Sequence, residues 1–497
     1  MTPHGTDLLG TVGSDADLGS GSGLVVLANR LPLTRGARDW EPACGGLATA
    51  LVPTLRALDG VWVGAESRPE GLTRAAGELG LRVAPVPLPP TIEAGYYDGF
   101  SNRTLWPLLH GGVERPVLSS DWWRDYRAAN ERLATGAMQA AEREGGSAYW
   151  VHDYHLLRAP AIIRRRAPRA RVGFFLHVPF PEPAQLAALP WAREILTGML
   201  GADLVAFQTA GHRDRFLDAV ALVLGPDAWV SGDGVVLRDG RLVRVEAHPI
   251  SIDADGLVRH ARSPEAAREL RALARRYEGR TVLLGVDRLD YTKGIPERLL
   301  ALEELLERRP DLRGRVVLVQ VGVPTRTGVP EYRRLAARVR ALAERLTARA
   351  SAEGLPSPVE LVEGPVPPAR LHALLALADV ALVTPLADGM NLVAKEYAVV
   401  QAAAGGTGAL VLSRAAGASE ELRDAVPCDP TSTAGIARAI ESALALEPDE
   451  RRARLARMAA IVHARTPATW AGKQLATLVE PALRSAPGAR RPGRAAA

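Results

Sequence analysis

The stretch TVLLGVD at residues 281–287 is a continuous apolar run, and VVLVQVG at residues 316–322 repeats it. The segment PEAARELRALARRYEG at residues 264–279 precedes the first run and has the spacing of an amphipathic helix. Strands without polar and apolar alternation are typical of parallel sheets that are buried on both faces. Such strands alternating with helices predict α/β architecture.

The same alternation extends along the chain. Further predicted strands are residues 24–28, 61–64, 148–151, 172–178, 204–208, 243–250, 359–364, 380–385 and 409–413. The pattern restarts near residues 250–280, which predicts two Rossmann-like, doubly wound domains, each with a parallel sheet. Because ligands of such sheets bind beyond the carboxyl ends of the strands, we expect both domains to face a ligand-binding cleft.

Before the first strand and after the last helix, the sequence is rich in small and polar residues. We expect a flexible leader at residues 1–23 and a flexible tail at residues 485–497. Between them we place a first domain at 24–252 and a second domain at 253–467.

Composition excludes several classes of protein. The 497 residues carry 61 Lys+Arg and 56 Asp+Glu, and a formal net charge of +5 is too small for a nucleic-acid binder. With 47% hydrophobic and 24% charged residues, the chain is typical of a globular protein. No apolar run predicts a membrane span, and the N-terminal sequence lacks the pattern of a signal peptide. Two widely separated cysteines, Cys44 and Cys428, favour a reducing, cytoplasmic setting.

The usual cofactor and metal motifs are missing from the sequence. No GxGxxG follows a strand and opens a helix, and no Walker A sequence occurs, which disfavours a nicotinamide oxidoreductase and a P-loop NTPase. No HExxH, CxxC or paired-histidine spacing indicates a metal site. We therefore expect a protein that needs neither a metal nor a cofactor.

Polar residues after buried strands are the informative ones in the first domain. Arg30 follows LVVLA and offers a forked donor that suits a phosphate, while Gly45 and Gly46 open a helix that an anion can approach. Asp153 in VHDYH can accept hydrogen bonds from sugar hydroxyls, and His177 ends the strand in FFLHVPFPEP. The structural alternatives are a solvated arginine beside a glycine turn, an N-capping aspartate and a satisfied core histidine.

Two cations follow one strand of the second domain. Arg288 and Lys293 bracket the turn in VDRLDYTKG at residues 286–294, where they suit a diphosphate and can stabilise a leaving group. The structural alternative is a surface charge cluster with Asp287 and Asp290.

A glycine-containing loop leads directly into a helix in TPLADGMNLVAKE, residues 384–396. Backbone N–H groups from 389–392 can face an anion at this helix start. Glu396 can accept hydrogen bonds from two ribose hydroxyls. Its neighbour Lys395 is rotated by about 100° around the helix and therefore points elsewhere.

Another strand-end arginine, Arg326, lies in PTR after VVLVQVG. The polar stretch YYDGFSNRTLWP contains aromatic side chains that either stack on a sugar or cover the core. These side chains are Tyr96, Tyr97, Phe100 and Trp106.

The motifs LWP, HDYHLL, GFFLHVPFP, RLDYTKG and DGMNLVAKEY occur together and in this order. In this, the chain resembles the trehalose-6-phosphate synthases over roughly residues 24–480. These are retaining nucleotide-sugar glycosyltransferases of glycosyltransferase family 20, with the GT-B architecture of two Rossmann-like domains. The resemblance also implies a C-terminal helix, at 468–484, that returns to the first domain.

The resemblance implies a role for each matching residue. The implied acceptor-binding residues are Arg30, Tyr97, Trp106, Asp153 and Arg326. The implied donor-binding residues are Gly45, Gly46, His177, Arg288, Lys293, Val366, Asp388, Gly389, Met390, Asn391, Leu392, Val393 and Glu396. His177, Arg288, Lys293 and Asp153 are the implied catalytic residues.

The implied reaction transfers glucose from UDP-glucose or GDP-glucose to glucose 6-phosphate, giving α,α-trehalose 6-phosphate. The anomeric configuration of the donor glucose is retained, and the leaving phosphate accepts the acceptor's proton. The resemblance is also compatible with a homo-oligomer. Two positions depart from the family pattern: Ala65 stands where a tryptophan is common, and Val366 replaces a common aromatic residue. No nucleic acid or membrane is expected as a partner.

Two alternatives stay open at this point. A pseudo-glycosyltransferase that joins cyclitols through nitrogen uses the same fold, although the intact motifs around His177 and Asp153 favour the sugar enzyme. A catalytically silent sugar-phosphate sensor is expected to have lost a leaving-group cation or the DGMNL loop, and both are present here.

Overall fold

The computed structural model describes residues 23–36, 39–43 and 45–479, which form two compact units. The first unit comprises the described residues up to Leu109, then Val117–Pro249 and those from Ala468 onward. The second comprises His110–Pro116 and Ile250–Pro467. The predicted tail, Cys44 and all but the last residue of the predicted leader lie outside the described residues.

A nine-stranded sheet forms the centre of the first unit, in the order β5-β4-β1-β6-β7-β8-β11-β10-β9. The pairs from β5 to β11 are parallel, and β10 and β9 extend the edge antiparallel. The other two strands, β2 and β3, form a small hairpin. The strands are β1 Leu24–Leu27, β2 Leu33–Arg35, β3 Trp40–Pro42, β4 Val61–Ala65, β5 Arg82–Val86, β6 Ala148–His152, β7 Arg171–Leu176, β8 Leu204–Phe207, β9 Trp229–Val230, β10 Val235–Arg238 and β11 Arg241–Ala247.

Helices connect these strands, and one connection contains a π-helix at Ala94–Leu105. Local chemistry sets their ends: the hydroxyl of Ser119 accepts a hydrogen bond from Trp122 N at the start of α5, and Gly145 ends that helix in the left-handed conformation. The α-helices are α1 Gly46–Ala57, α2 Leu72–Glu78, α3 Pro90–Glu93, α4 Trp106–Leu109, α5 Ser120–Glu144, α6 Ala159–Arg166, α7 Pro183–Ala187, α8 Ala192–Met199 and α9 Ala210–Leu224.

The second unit has a six-stranded, fully parallel sheet in the order β14-β13-β12-β15-β16-β17. Its strands are β12 Thr281–Arg288, β13 Val316–Val323, β14 Val359–Glu363, β15 Val380–Val383, β16 Ala409–Ser413 and β17 Val426–Cys428. Its helices are α10 Ala254–Ala261, α11 Pro264–Arg276, α12 Ile295–Arg308, α13 Pro330–Ala352, α14 Pro368–Leu377, α15 Leu392–Ala403, α16 Thr433–Leu444 and α17 Pro448–His463.

The last helix, α18 at Pro467–Val479, lies almost entirely within the first unit. The indole N–H of Trp470 donates to His248 O at 3.1 Å, and Gln474 Oε1 accepts from Trp150 Nε1 at 3.2 Å. Through these contacts the end of the chain packs on the sheet formed by its beginning.

The predicted α/β class with two doubly wound, Rossmann-like sheets is confirmed. Counted along the chain, the six strands of the second sheet follow the order 3-2-1-4-5-6, and the strands from β5 to β8 of the first sheet follow the same order. Each sheet therefore has a switch point at its first strand. The predicted strand at residues 243–250 ends earlier, at Ala247, because Pro249 cannot donate to a ladder. The short strands β2, β3, β5, β9, β10 and β17 escaped prediction, since none is a long apolar run.

No helix among the residues that the structure describes is long and apolar enough to cross a membrane.

Candidate active site

In the first unit, the predicted site residues follow neighbouring strands. Arg30 comes shortly after β1, Asp153 directly after β6 and His177 directly after β7. The strands β1 and β6 are adjacent, and the connections on their two sides run in opposite directions. This is the switch point of a doubly wound sheet, where ligands bind.

Arg30 and Tyr97 form a pair at this edge. The Nη2 atom of Arg30 donates to the phenol oxygen of Tyr97 at 2.8 Å. The Tyr97 ring stacks on His155, with centroids 5.8 Å apart and an interplanar angle of 8°. The π-helix places Tyr97 beside Tyr96, whose hydroxyl donates to Asn29 Oδ1 at 2.7 Å. An exposed guanidinium beside a held phenol group can bind an anion such as a phosphate.

Asp153 has a strained backbone, with φ 75° and ψ 167°. For a residue other than glycine, this conformation costs about 1–3 kcal/mol and is concentrated at functional sites. Its N–H donates to Phe175 O at 2.8 Å, and its Oδ1 accepts from His177 N at 3.3 Å. The carboxylate is therefore fixed at the ends of β6 and β7. Asp153 stands at the N-cap position of the 3-10 helix Tyr154–Leu156, but its side chain makes no cap hydrogen bond, so the capping role weighed as its alternative is absent.

The His177 imidazole is turned toward other polar groups of the first unit. Its Nε2 lies 3.1 Å from Nδ1 of His152, and its Nδ1 lies 3.5 Å from Nε2 of Gln208. Burial lowers the pKa of His177 to about 3, so the ring is neutral at physiological pH. A neutral imidazole can exchange hydrogen bonds with sugar hydroxyls without presenting a charge to them.

Three further predicted residues lie in the first unit. Trp106 is only 3% exposed, and its ring lies 5.4 Å from that of Tyr154, so it contributes to the core as well as to any site. Gly45 and Gly46 are exposed at the start of α1, where Gly45 is the N-cap without a side-chain bond. No atom lies within 4 Å of the position that a Cβ would take at Gly45. The first N–H groups of this helix are therefore accessible from that side.

In the second unit, Lys293 and Asp388 form the centre of the predicted site. The strands β12 and β15 meet at the switch point of this sheet, and the two residues lie on the loops that follow them. Lys293 Nζ donates to Asp388 Oδ2 at 2.5 Å, and Asn391 Nδ2 donates to the same oxygen at 3.1 Å. Burial alone would raise the pKa of Asp388, but Lys293 outweighs it and holds the pKa below its usual value. His110 also favours the charged form.

The DGMNL loop ends at an N-cap. Asn391 has φ 74°, and its Oδ1 accepts a hydrogen bond from Ala394 N at 3.3 Å, which starts α15. Gly389 and Met390 are buried before it, and Leu392 and Val393 are half-buried after it. The loop thereby brings the N-terminus of α15 close to the Lys293 ammonium, and the two together provide positive potential for an anion.

Arg288, the last residue of β12, is exposed, and its charge acts on Asp290. Asp290, two residues on, is fully buried and accepts from Arg326 Nη1 at 2.8 Å. Burial would raise the pKa of Asp290, but the cations around it, Arg326 first, lower it to about 2. Arg326 is thus held in a buried ion pair within the second unit, with its side chain 4% exposed.

Arg298 holds the strands behind this site together, although no sequence pattern predicted it. It is fully buried, and its Nη1 donates to Asp287 Oδ2 and Gln320 Oε1, both at 2.7 Å. Its Nε donates to Thr384 Oγ1 at 3.1 Å. One guanidinium therefore ties together the ends of β12, β13 and β15. Asp287 therefore does not belong to the surface charge cluster considered as the structural alternative, because its carboxylate is paired with Arg298 in the core.

Glu396 and its neighbour Lys395 face different surroundings, as their helical spacing predicts. Burial raises the pKa of Glu396 to about 7. Lys395 Nζ contacts Glu421 Oε2 at 2.6 Å and donates to Ile250 O at 2.7 Å. Val366 is half-buried in the loop after β14.

Among the described residues, no group of three or more His, Cys, Asp or Glu side chains is arranged to hold a metal ion.

The sequence analysis did not identify His152 and Gln208, the two hydrogen-bond partners of the His177 ring. His152 adjoins Asp153 in the motif HDYH, a signal that could have identified it; Gln208 gave none.

Comparison with known proteins gives one consistent result. The family model of glycosyltransferase family 20 matches residues 23–480. A trehalose-6-phosphate synthase of Mycobacterium avium (strain 104) is 40% identical over 475 residues, covering 92% of this chain and 96% of that protein.

Solved structures agree with the sequence relatives. A UDP-forming α,α-trehalose-phosphate synthase from Burkholderia vietnamiensis has a TM-score of 0.82 at 33% identity, covering 92% of this chain and 97% of that one. The E. coli trehalose-6-phosphate protein bound with UDP-2-fluoro glucose has a TM-score of 0.82 at 31% identity, covering 92% of this chain and 99% of that one.

Proposed function

The chain belongs to glycosyltransferase family 20, and we propose that it transfers glucose from a nucleotide-glucose to the C1 hydroxyl of glucose 6-phosphate. The products are α,α-trehalose 6-phosphate and a nucleoside diphosphate. The donor is UDP-glucose or GDP-glucose, and UDP-glucose has the support of a similar structure named as UDP-forming. The observation that carries the proposal is the Lys293–Asp388 pair at the switch point of the second unit, next to the N-terminus of α15.

In this proposal the second unit binds the donor. Lys293 and Arg288 bind its diphosphate, with help from the N–H groups at the start of α15. The DGMNL loop binds its glucose, Glu396 its ribose hydroxyls and Val366 its nucleobase through the backbone. Donor phosphate oxygens then share the Lys293 ammonium with Asp388, which accepts a hydrogen bond from it at 2.5 Å.

The first unit supplies groups for the acceptor. Arg30 and Tyr97 bind the phosphate of glucose 6-phosphate, a role supported by the 2.8 Å bond that already joins them. Asp153 and Trp106 bind the sugar, and His177 contacts the donor glucose. Arg326, from the second unit, also binds the acceptor phosphate. Its guanidinium must then pair with that phosphate and with Asp290 at the same time.

The chemical step proceeds with retention. The bond between the donor C1 and the phosphate oxygen breaks, a new bond joins C1 to the acceptor's hydroxyl oxygen, and the hydroxyl proton passes to the departing diphosphate. Lys293 and Arg288 stabilise the charge that develops on that diphosphate. Double displacement would need a carboxylate nucleophile. Four carboxylates near the strand ends are already engaged: Asp153 by His177 N, Asp287 by Arg298, Asp290 by Arg326 and Asp388 by Lys293.

Release of nucleoside diphosphate tests this proposal. The purified protein is incubated with UDP-glucose or GDP-glucose, with glucose 6-phosphate present or omitted. We expect release that depends on glucose 6-phosphate, and the faster nucleotide identifies the donor. Absence of release with both nucleotides would instead favour the silent sugar-phosphate sensor, and turnover only with an aminocyclitol phosphate would favour the pseudo-glycosyltransferase.

The metal-independence expected from the sequence stays a proposal. If Lys293 and Arg288 neutralise the leaving group, turnover persists in excess EDTA, and loss of activity that Mg²⁺ restores would refute the point. The cytoplasmic setting and the homo-oligomer that the resemblance allows stay predictions.

A further inference from the structure

Beyond these roles, we propose that His152 is a positioning residue: it fixes the orientation and tautomer of His177, so that Nδ1 of His177 accepts a hydrogen bond from a hydroxyl of the donor glucose. The inference rests on the proposed function only for the identity of the sugar. The pairing of the two imidazoles rests on the geometry of the first unit alone.

The two histidines share one face of the sheet. His152 is in register with Phe175 across β6 and β7, and His177 lies two residues beyond Phe175. Residues in register and residues two apart point to the same side of a sheet. The Trp470 ring of α18 covers this side, with centroids 6.3 Å from His152 and 6.1 Å from His177. Neither ring can turn without disturbing that packing.

One hydrogen bond joins the two rings. His152 Nδ1 and His177 Nε2 are 3.1 Å apart, so one of these atoms donates and the other accepts. Burial keeps both rings uncharged: it lowers the pKa of His152 well below the usual value, with a further contribution from His177, and it lowers that of His177 to about 3. Each ring therefore carries a single proton, and two tautomeric arrangements are available.

The orientation of the Gln208 amide favours one of these arrangements. In that orientation its nitrogen lies 3.5 Å from His177 Nδ1, and an amide N–H can only donate. His177 Nδ1 is therefore the acceptor, and the ring's proton is on Nε2, from which it is donated to His152 Nδ1. Since 3.5 Å is a long hydrogen bond, a sugar hydroxyl can replace Gln208 at Nδ1 while His152 keeps the ring in place.

The same arrangement leaves a proton on Nε2 of His152. This nitrogen is buried and has no hydrogen-bond partner among the described residues. An unpaired buried N–H costs stability, which an apolar ring at this position would avoid. The fold keeps a histidine despite this cost, which is accounted for if its other nitrogen has a function.

Paired variants separate the hydrogen bond from packing. His152→Phe keeps a ring but removes the bond, and we expect kcat/KM for the nucleotide-glucose to fall about tenfold to a hundredfold with an unchanged or raised Tm. His152→Asn keeps a polar atom near Nδ1, and we expect it to retain more activity than His152→Phe while being less stable. Trp150→Phe alters packing on the same face without touching His177, and its kcat/KM should stay within about twofold of wild type.

A double-mutant cycle gives the decisive readout. In a His177→Ala background, adding His152→Phe should change kcat/KM by less than about twofold, because its effect acts through His177. Equal losses in both backgrounds, or full activity of His152→Phe, would overturn the positioning role.

The tautomer is measured independently of activity by ¹⁵N NMR of histidine-labelled protein. We expect an unprotonated Nδ1 and a protonated Nε2 in His177, and a proton on Nδ1 would refute the assignment. Because this spectrum needs no substrate, it decides the pairing even if the wild-type protein fails to transfer glucose, which would refute only the proposed function.

Discussion

Two of the three lysines in this arginine-rich chain are buried against carboxylates in the second unit. Lys293 is 8% exposed beside Asp388, and Lys395 is 1% exposed beside Glu421. A compact ammonium fits such a space, whereas a guanidinium needs a planar fork of partners. Lys395 serves structure, because it ties α15 to Ile250 O. Lys473 is exposed, and nothing in the structure explains its retention.

Removal of the leaving-group cations is expected to lower turnover most. Lys293→Ala and Arg288→Ala should each reduce kcat by about 10²–10³-fold, since the developing charge on the diphosphate loses its stabilisation. Steady-state kinetics measures this, with thermal unfolding to verify that the variants fold. Lys473→Ala removes an exposed lysine and serves as control, and near-normal turnover of both site variants would refute their assignment.

The raised pKa of Glu396 predicts a pH dependence. Below a pH of about 7 the carboxyl group is protonated and accepts hydrogen bonds poorly, and above it the carboxylate binds the ribose hydroxyls strongly. We therefore expect kcat/KM for the donor to rise with pH through about 7 and then level off. Glu396→Gln should lower the plateau and abolish that rise. A rise that persists unchanged in this variant would place the titrating group elsewhere.

At the scale of elements, the turn between β12 and α12 places Lys293 within hydrogen-bonding distance of Asp388. Arg298 fixes it from the core, because its Nη2 donates to Lys293 O at 3.4 Å while its Nη1 holds Asp287. Gly294 closes the turn with φ 65°, and a Cβ there would lie 2.3 Å from Thr384 O. The turn can therefore approach the β15 loop only with glycine at this position.

Gly294→Ala is expected to damage the donor site. The added Cβ must push Thr384 away, which shifts the loop that carries Asp388, so we expect donor affinity and Tm both to fall. Gly279→Ala is the matched control, because Gly279 has φ 74° but open space around its Cβ position. It shares the backbone strain without the clash, so equal effects of the two substitutions on donor affinity, measured by calorimetry, would contradict the argument.

At the scale of the whole molecule, the chain builds its first unit from both of its ends. Apart from the short segment His110–Pro116, the second unit is the continuous stretch Ile250–Pro467, after which the chain returns to the first unit at Ala468. Helix α18 then packs Trp470 against the side chains of β6 and β7. The helix that covers the face behind His177 thus follows the whole segment Ile250–Pro467 in sequence. The first unit is complete only once α18 has docked.

Trp470→Ala should destabilise the first unit by about 3–5 kcal/mol, since it leaves a cavity over the sheet. Trp229→Ala removes a tryptophan that is 60% exposed in the same unit, and its effect should stay within about 0.5 kcal/mol. Urea unfolding followed by circular dichroism measures both. Similar losses for the two variants would show that α18 contributes little to the first unit.

The sequence could predict the architecture because buried parallel strands are visible as apolar runs, as in β12 and β13. It could not give the partners of site residues, because these depend on which strand ends become neighbours. The pairs His152–His177 and Lys293–Asp388 join residues 25 and 95 positions apart. Asp153 was predicted as a site residue, but its strained backbone was not, and the buried Arg298 was not predicted at all. Neither backbone conformation nor burial of a charge leaves a local pattern in the sequence.

The central claim is glucose transfer with retention onto glucose 6-phosphate, and the structure of the product tests it most directly. Glucose 6-phosphate and the faster of the two nucleotide-glucose donors are incubated with the enzyme, and the disaccharide is analysed by ¹H NMR. The account predicts a 1,1-linked disaccharide phosphate in which both anomeric protons show the small coupling of α-configured sugars. A β-configured donor residue, another linkage, or hydrolysis of the donor without a disaccharide would contradict it.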